Sequence, residues 1–190
     1  AIHRSVDFGV NWTPLLRAPG SPENVASRRV KCLVADSVGP NRLFAGLYWD
    51  GLWYSDDGGT NWARAHGNGV DLSYASVQAI LPVADGTVWA ALYDGLYRST
   101  DHGRTFAAVL TNANWGEHSL EYASAIAVNP SDANDLAVAT AQIYPVWFNH
   151  GSVWRTTNAG LTWTDLTGEL PVKPVVGLTY QNDWLYAATW

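Results

Sequence analysis

The chain has 190 residues, 47% of them hydrophobic, which is enough for one globular domain with a substantial core. Its net charge of −6 argues against nucleic acid as a partner, because a phosphate backbone requires a basic surface. No apolar run approaches the roughly 20 residues of a membrane span, and no basic-then-apolar leader opens the chain. Cys32 is the only cysteine, which excludes intrachain disulfides, and its apolar flanks predict a buried small hydrophobe. Eleven Trp and nine Tyr are the unusual feature, and they predict aromatic packing, aromatic ligand contacts, or both.

A short polar pattern that ends on an aromatic residue recurs four times along the chain. It reads SVDFGVNW at 5–12, SDDGGTNW at 55–62, STDHGRTF at 99–106 and TTNAGLTW at 156–163. The starts are 50, 44 and 57 residues apart, close to the length of a four-stranded propeller blade. The repeat therefore predicts one supersecondary unit per copy.

The segments around each copy follow one order. The N-terminus supplies only a third strand before the pattern (IHRS) and a fourth strand after it (WTPLL). Each later unit begins with two alternating segments, typical of half-buried strands: VKCLVAD and RLFAGLY, VQAILPVAD and TVWAALY, ASAIAVNP and DLAVATA, and finally VVGLTYQ and WLYAATW. The sequence predicts one propeller domain over 1–190. Its blade units are approximately 29–67, 76–111, 122–167, and 175–190 joined with 1–16.

Each copy of the pattern is predicted to form the hairpin between strands 3 and 4 of its blade. The Asp or Asn is expected to bind backbone amides of the turn, the Gly to take positive φ, and the aromatic residue to fill the sheet packing. Under this interpretation the acids are structural and not catalytic. The residues assigned this role are Ser5, Asp7, Gly9 and Trp12; Ser55, Asp57, Gly59 and Trp62; Ser99, Asp101, Gly103 and Phe106; and Thr156, Asn158, Gly160 and Trp163.

The pattern resembles the Asp-box (BNR) repeat, S-x-D-x-G-x-T-W, of sialidase-like, xyloglucanase-like, sortilin-like and photosystem II assembly-factor-like proteins. This resemblance implies an all-β fold: a β-propeller of four Asp-box blades, each a four-stranded antiparallel sheet. It implies little about activity, because the repeat occurs in enzymes, receptors and scaffolds.

The two ends of the chain are predicted to complete one blade together, since they supply strands 1–2 and strands 3–4 respectively. Pairing them would hide two sheet edges. Three arrangements follow: a four-bladed ring closed within one chain, half of an eight-bladed ring closed by a head-to-tail homodimer, or a piece of a larger propeller.

Loops between strands 2 and 3, and between successive blades, are predicted to share the face opposite the Asp-boxes. Aromatic rings beside hydrogen-bonding groups suit a sugar, which presents flat apolar faces and hydroxyls. The predicted ligand-binding residues on this face are Trp49, Asp50, Tyr93, Asp94, Trp115, Trp147 and Trp190. The alternative is that these aromatic rings only cover the top of each sheet.

For hydrolysis, the candidate carboxylates in these loops are Asp71, Glu117 and Glu121, because a glycosidase needs two acids facing one bond. Their alternative role is that of solvated loop charges. His66, His118 and His150 lie singly in separate loops, so we expect neither a metal site nor a cofactor. An Arg-Ile-Pro segment, which a sialidase should carry near its start, is absent from the sequence.

The sequence thus favours a non-catalytic binding propeller, lectin-like, with carbohydrate as the ligand class. The alternatives are a glycoside hydrolase of BNR or xyloglucanase-like type and a protein-binding scaffold. The expected partners are a glycan or a protein, with no nucleic acid and no membrane, for a monomer or a head-to-tail homodimer. A secreted or periplasmic location is favoured.

Overall fold

The computed structural model describes residues 2–15, 29–36, 38–111, 122–142, 150–171 and 173–190. These residues form β-sheets in which all pairings but one are antiparallel, and none of the described residues lies in a helix. The strands are β1 (His3–Arg4), β2 (Thr13–Pro14), β3 (Val30–Ala35), β4 (Leu43–Leu47), β5 (Leu52–Ser55), β6 (Ala63–Arg64), β7 (His66–Gly67), β8 (Val77–Pro82), β9 (Val88–Leu92), β10 (Gly95–Ser99), β11 (Thr105–Thr111), β12 (Tyr122–Asn129), β13 (Asp132–Ala141), β14 (Val153–Thr156), β15 (Thr164–Asp165), β16 (Val175–Gln181) and β17 (Trp184–Thr189).

Three complete blades stand between two hairpins. Blade 1 has the order β3-β4-β5-β6, blade 2 β8-β9-β10-β11 and blade 3 β12-β13-β14-β15. The short strand β7 adds to blade 2 by pairing parallel to β11. The N-terminal hairpin is β1-β2 and the C-terminal hairpin is β16-β17, each a separate two-stranded sheet. The predicted all-β architecture of four-stranded antiparallel blades is confirmed.

The first strand of every unit carries the same irregularity. The register between strands 1 and 2 shifts between Val30 and Cys32, Val77 and Ala79, Ala123 and Ala125, and Val175 and Gly177. A bulge of this kind leaves one residue out of the ladder and redirects its side chain. The bulged residues are Lys31, Gln78, Ser124 and Val176.

The core consists of apolar layers between neighbouring blades. Phe44 of β4 and Phe106 of β11 belong to the layer between blades 1 and 2. Trp89 and Leu136 belong to the layer between blades 2 and 3. Cys32 is partly buried against the first layer, and burial raises the pKa of its thiol to about 11, so it remains protonated and inert at neutral pH.

The ends of the array depart from the expected single-chain closure. β17 pairs with β16 and β1 pairs with β2, and no pairing joins β17 to β1 in the described strands. The two hairpins pack on the two outer blades: Ile2 and Leu15 contact blade 1, and Val175 contacts blade 3. The blade joined from 175–190 and 1–16 therefore stays a prediction, as do the four-bladed ring, the eight-bladed ring and the piece of a larger propeller.

Candidate functional site

The Asp-box turns are held by a repeated set of hydrogen bonds. In the third copy the Ser99 hydroxyl donates to Asp101 Oδ1 at 2.7 Å and accepts the Gly103 N–H at 2.8 Å. The Thr105 N–H and hydroxyl donate to the two oxygens of Asp101 at 2.8 and 2.6 Å. Burial alone would raise the pKa of Asp101, but these bonds outweigh it and hold the pKa at about 2. The carboxylate of Asp101 therefore accepts hydrogen bonds from residues of its own turn.

The fourth copy replaces Asp with Asn and keeps the turn. The Thr156 hydroxyl donates to Asn158 Oδ1 at 2.8 Å, and the Thr162 N–H donates to the same oxygen at 2.9 Å. The Asn158 amide then donates to the Thr162 hydroxyl at 2.8 Å, where an aspartate would accept a bond. A neutral side chain therefore serves the same turn, which a catalytic role for this position would not permit.

A row of four exposed or half-buried aromatic rings crosses the opposite face. Tyr48 and Trp49 extend from the β4–β5 turn, Tyr93 from the β9–β10 turn, and Tyr122 from the start of β12. Ring centroids are 5.9 Å apart from Tyr48 to Trp49, 5.4 Å from Trp49 to Tyr93 and 5.8 Å from Tyr93 to Tyr122. The last pair is stacked with an interplanar angle of 10°. These four residues, the aromatic row, place ring surface from blades 1, 2 and 3 side by side.

Trp49 is held in an unfavourable backbone conformation. Its φ is +56°, a left-handed value that costs a non-glycine residue about 1–2 kcal/mol. A bulky aromatic residue is uncommon there, and such outliers concentrate at functional sites. Nearly half of the side chain is exposed, at 48%, so burial alone does not explain its position.

This conformation leads to a stability prediction for Trp49. Trp49→Gly should be more stable than Trp49→Ala by about 1–2 kcal/mol, because glycine accepts the left-handed turn without a steric penalty. Urea denaturation of the two variants measures this difference. The same pair at Tyr93, which is not among the positive-φ residues, should show the reverse order. A Trp49→Ala variant as stable as Trp49→Gly would contradict the assigned turn conformation.

Polar side chains from the strand-1 bulges flank the aromatic row. Lys31 Nζ donates to Gln78 Oε1 and lies 5.9 Å from the centre of the Tyr48 ring. The Arg29 guanidinium lies over the same ring at 5.5 Å. Burial lowers the pKa of Lys31. Donors and acceptors therefore stand directly beside a flat apolar surface.

The structure separates the roles of the two aspartates predicted beside these rings. Asp50 is 8% exposed and accepts a bond from Arg64 Nη2 at 3.0 Å. It supports the turn below Trp49 instead of facing solvent. Asp94 is exposed and accepts the Tyr97 hydroxyl at 2.8 Å, so it lies at the surface next to Tyr93.

Asp71 lies in a cavity of about 420 Å³ formed by residues 64–67 and 69–73. His66 lies in the same wall, and Asp71 is the only carboxylate among the described residues that line it. The Ser73 N–H donates to Asp71 Oδ1 at 2.8 Å and lowers the pKa of this carboxyl. A lowered pKa suits a carboxylate and opposes a general acid, which must be protonated at neutral pH.

Several predicted site residues lie outside the described residues: Trp115, Glu117, His118, Glu121 and Trp147. Trp190 is exposed after β17, and its ring is not part of the aromatic row. Within the described ranges, His, Cys, Asp and Glu side chains form no cluster of three able to hold a metal ion. In the same ranges, no helix has the length and apolar character needed to cross a membrane.

A larger cavity of about 620 Å³ lies on the Asp-box side, and three of its charged side chains bind one another. Arg42 and Arg104 both bind Asp56, with Arg42 Nε at 2.7 Å and Arg104 Nη2 at 3.1 Å. Arg42 also donates to the His102 carbonyl at 2.9 Å and so links blade 1 to the blade 2 turn. This cluster joins blades and offers no unpaired charge among the three side chains.

Comparison with known proteins agrees with this geometry. Residues 53–64, which contain the second copy of the pattern, match the BNR/Asp-box repeat family. The GH74 xyloglucanase from Xanthomonas campestris superposes with a TM-score of 0.71 at 14% identity, over 98% of this chain and 32% of that chain. The chain therefore contains a BNR/Asp-box repeat, and its fold is that of a β-propeller or part of one. An ancestral GH74 enzyme superposes on the propeller with a TM-score of 0.67 at 20% identity, over 92% of this chain and 22% of that chain. YCF48 bound to a D1 peptide superposes with a TM-score of 0.59 at 16% identity, over 95% of this chain and 51% of that chain.

These similarities establish the fold of the Asp-box propeller and not its activity, since all three identities are low. The chain spans only about a fifth to a third of the length of the two GH74 proteins. No curated protein is significantly similar to it in sequence.

Proposed function

We propose that this Asp-box propeller binds an extended carbohydrate along the aromatic row without chemical turnover. The observation that carries the proposal is the row itself: four rings from three blades, spaced 5.4–5.9 Å apart on one face. A saccharide chain offers a series of flat apolar sugar faces, so a line of rings matches it better than one isolated ring does. The exposure of Trp49 and Tyr93, at 48% and 49%, leaves both rings accessible to a ligand.

The polar groups beside the aromatic row supply the hydrogen-bond donors and acceptors that the rings lack. Lys31 and Gln78 can donate to and accept from sugar hydroxyls, and both lie on bulges that turn their side chains out of the ladder. Asp94 adds an exposed carboxylate next to Tyr93. Rings and hydrogen-bonding groups together are the composition of a sugar site.

A hydrolytic function has weaker support. Asp71 stands without a second carboxylate in its cavity wall among the described residues, and its pKa is lowered where a general acid needs a raised one. The repetition of rings on successive blades favours binding, because repeated contacts add affinity whereas catalysis needs one singular centre.

A protein ligand is the second alternative, and the superposition on YCF48 bound to a D1 peptide supports it. A secreted or periplasmic location follows from the proposed ligand, because extended polysaccharides are encountered there. We treat residues 1–190 as one propeller domain in this proposal.

The test is a calorimetric titration with xyloglucan, other β-glucans and sialosides. Replacing both Trp49 and Tyr93 with alanine should weaken binding by well over tenfold, because each aromatic anchor is worth about 2 kcal/mol in a binding hot spot. Tyr74→Ala is the matched control, because Tyr74 is 76% exposed and takes no part in the ring contacts of the described aromatic row. Its affinity should not change.

Other results would redirect the assignment. Equal loss in the control and the double variant would contradict the aromatic row as the site. Release of reducing sugar that disappears with Asp71→Asn while binding remains would replace the proposal with a glycoside hydrolase. Absence of binding to every glycan would shift it to a protein partner.

A further inference from the structure

Two apolar faces are exposed at opposite ends of the blade array. On the N-terminal hairpin, Phe8 and Trp12 are exposed, and Trp12 is 62% accessible although its counterparts Trp62 and Phe106 are buried. On the C-terminal hairpin, Trp184 and Tyr186 are 71% and 50% exposed. Exposed apolar faces of this kind, bordered by sheet edges, are typical of interaction surfaces.

The contacts between complete blades show which residues pack against each other where two blades meet. The Asp-box glycine of one blade lies against an aromatic ring from strand 2 of the preceding blade. A methyl group added to Gly103 would lie 2.3 Å from Phe44 Cε1, and one added to Gly160 would lie 3.1 Å from Trp89 Cη2. Only glycine permits this close approach.

The corresponding ring is missing in front of blade 1. The nearest atoms to a methyl group on Gly59 belong to Leu15, Leu43 and Trp62, none of which is a strand-2 ring of a preceding blade. In the second-strand segments RLFAGLY, TVWAALY and WLYAATW, the third residue is Phe44, Trp89 and Tyr186. Tyr186 of β17 is therefore the ring that matches Gly59.

The reciprocal face is matched through the fourth strand, because the third residue of the blade 3 segment DLAVATA is Ala137 and supplies no ring. A methyl group on Gly9 would meet only Trp12, of its own turn, among the described residues within 4 Å. Leu15 and Leu166 occupy equivalent positions, as the fourth residues of the repeated fourth-strand segments WTPL and WTDL. Leu15 packs under Gly59, whereas Leu166 is 41% exposed and open to receive the Gly9 turn.

We propose that two copies of this chain join head to tail, with β17 of one copy pairing antiparallel with β1 of the other. Each such seam assembles one four-stranded blade from β16-β17 and β1-β2. Two seams related by a two-fold axis close the assembly, so that neither copy keeps an exposed edge at the seam. The occupant of each face is then a second copy, which continues the blade-to-blade contact already present twice in the chain, at Gly103 and at Gly160. The inference is independent of the carbohydrate proposal.

The mass in solution tests the assembly. Light scattering of the chain should give about twice the 20.7 kDa of one copy. Tyr186→Lys should yield the single-copy mass, because it places a charge against the Gly59 turn at the seam. Tyr74→Lys, at an exposed aromatic residue away from both faces, should leave the assembly intact. A single-copy mass for the unchanged chain, or a persistent double mass in Tyr186→Lys, would overturn the proposal.

A cross-link distinguishes pairing between copies from pairing within one chain. Tyr97 is directly opposite Ala90 in blade 2, and the equivalent positions at the seam are His3 and Ala187. Directly opposed residues lie about 4.5–5.5 Å apart at Cα, within disulfide reach. His3→Cys with Ala187→Cys, in a Cys32→Ala background, should give a covalent dimer on a non-reducing gel. A monomer band, whether from an internal disulfide or from none, would contradict the proposed seam.

Discussion

Trp89→Ala is expected to lower the free energy of unfolding by about 3–5 kcal/mol, as for other fully buried large aromatic residues. Trp89 is 1% exposed and lies in the apolar layer between blades 2 and 3. Its ring closes over Gly160 of the fourth Asp-box, and the Arg98 guanidinium lies 5.4 Å from its centre. Truncation would open a cavity that the rigid turn cannot fill. Urea denaturation followed by circular dichroism measures the change.

Two further variants control this result. Trp89→Phe should retain most of the stability, since Phe44 fills the equivalent place in front of Gly103. Leu161→Ala, at a residue of the same Asp-box that is 83% exposed, should change stability by no more than about 0.5 kcal/mol. A Trp89→Ala variant as stable as Leu161→Ala would contradict the assigned blade packing.

Asp135→Ala is expected to destabilise the fold by about 3 kcal/mol, the lower end of the range for breaking a buried ion pair, because Arg155 is partly exposed. Asp135 is 4% exposed and accepts two bonds from Arg155, at 2.8 and 2.7 Å. It also accepts the Asn129 amide at 2.9 Å and the Tyr180 hydroxyl at 3.3 Å. Since Tyr180 belongs to β16, the change should also loosen the C-terminal hairpin, which faster amide exchange in β16 and β17 would show.

The pH dependence of this difference follows from the sign of the pKa shift. The hydrogen bonds from Arg155, with those from Asn129 and Tyr180, lower the pKa of Asp135 in the folded chain. The carboxylate therefore contributes its stabilisation in full above the unfolded pKa of about 4 and loses it as pH falls through the lower folded value. The difference in the free energy of unfolding between the unchanged chain and Asp135→Ala should become smaller as pH falls below about 4. A gap that does not change with pH would contradict an ionised Asp135.

The blade architecture could be predicted because it is periodic. Four copies of the pattern placed the strand 3–4 hairpins, and alternating segments such as VKCLVAD supplied the remaining strands. The strand-1 bulges were not predicted, because one residue left out of the hydrogen-bonded ladder leaves no recognisable change in the alternation of apolar and polar residues. They are visible only in the register, as between Val30 and Cys32.

The ends of the array could not be derived from complementarity alone. The sequence shows that β16-β17 and β1-β2 supply matching halves of a blade, which is equally true of one chain and of two. The packing of Ile2 and Leu15 on blade 1 and of Val175 on blade 3 is also the same in both arrangements.

The candidate site was predicted in part. Trp49 and Tyr93 were selected because an aromatic residue precedes an aspartate at the same blade position, and the structure brings their rings together. Tyr48 and Tyr122 were missed, because one is simply the end of a strand pattern and the other the start of one. The burial of Asp50 was not foreseeable either, since its partner Arg64 lies in a different strand.

If the aromatic row binds an extended saccharide, the affinity should depend on the length of the ligand. Calorimetric titration with a series of β-glucan oligosaccharides should show affinity rising with each added sugar until the chain spans Tyr48 to Tyr122. The affinity should then level off, because further sugars find no ring. In Trp49→Ala the rise should stop earlier. Affinity that is independent of length, or a length dependence unchanged in Trp49→Ala, would contradict the account.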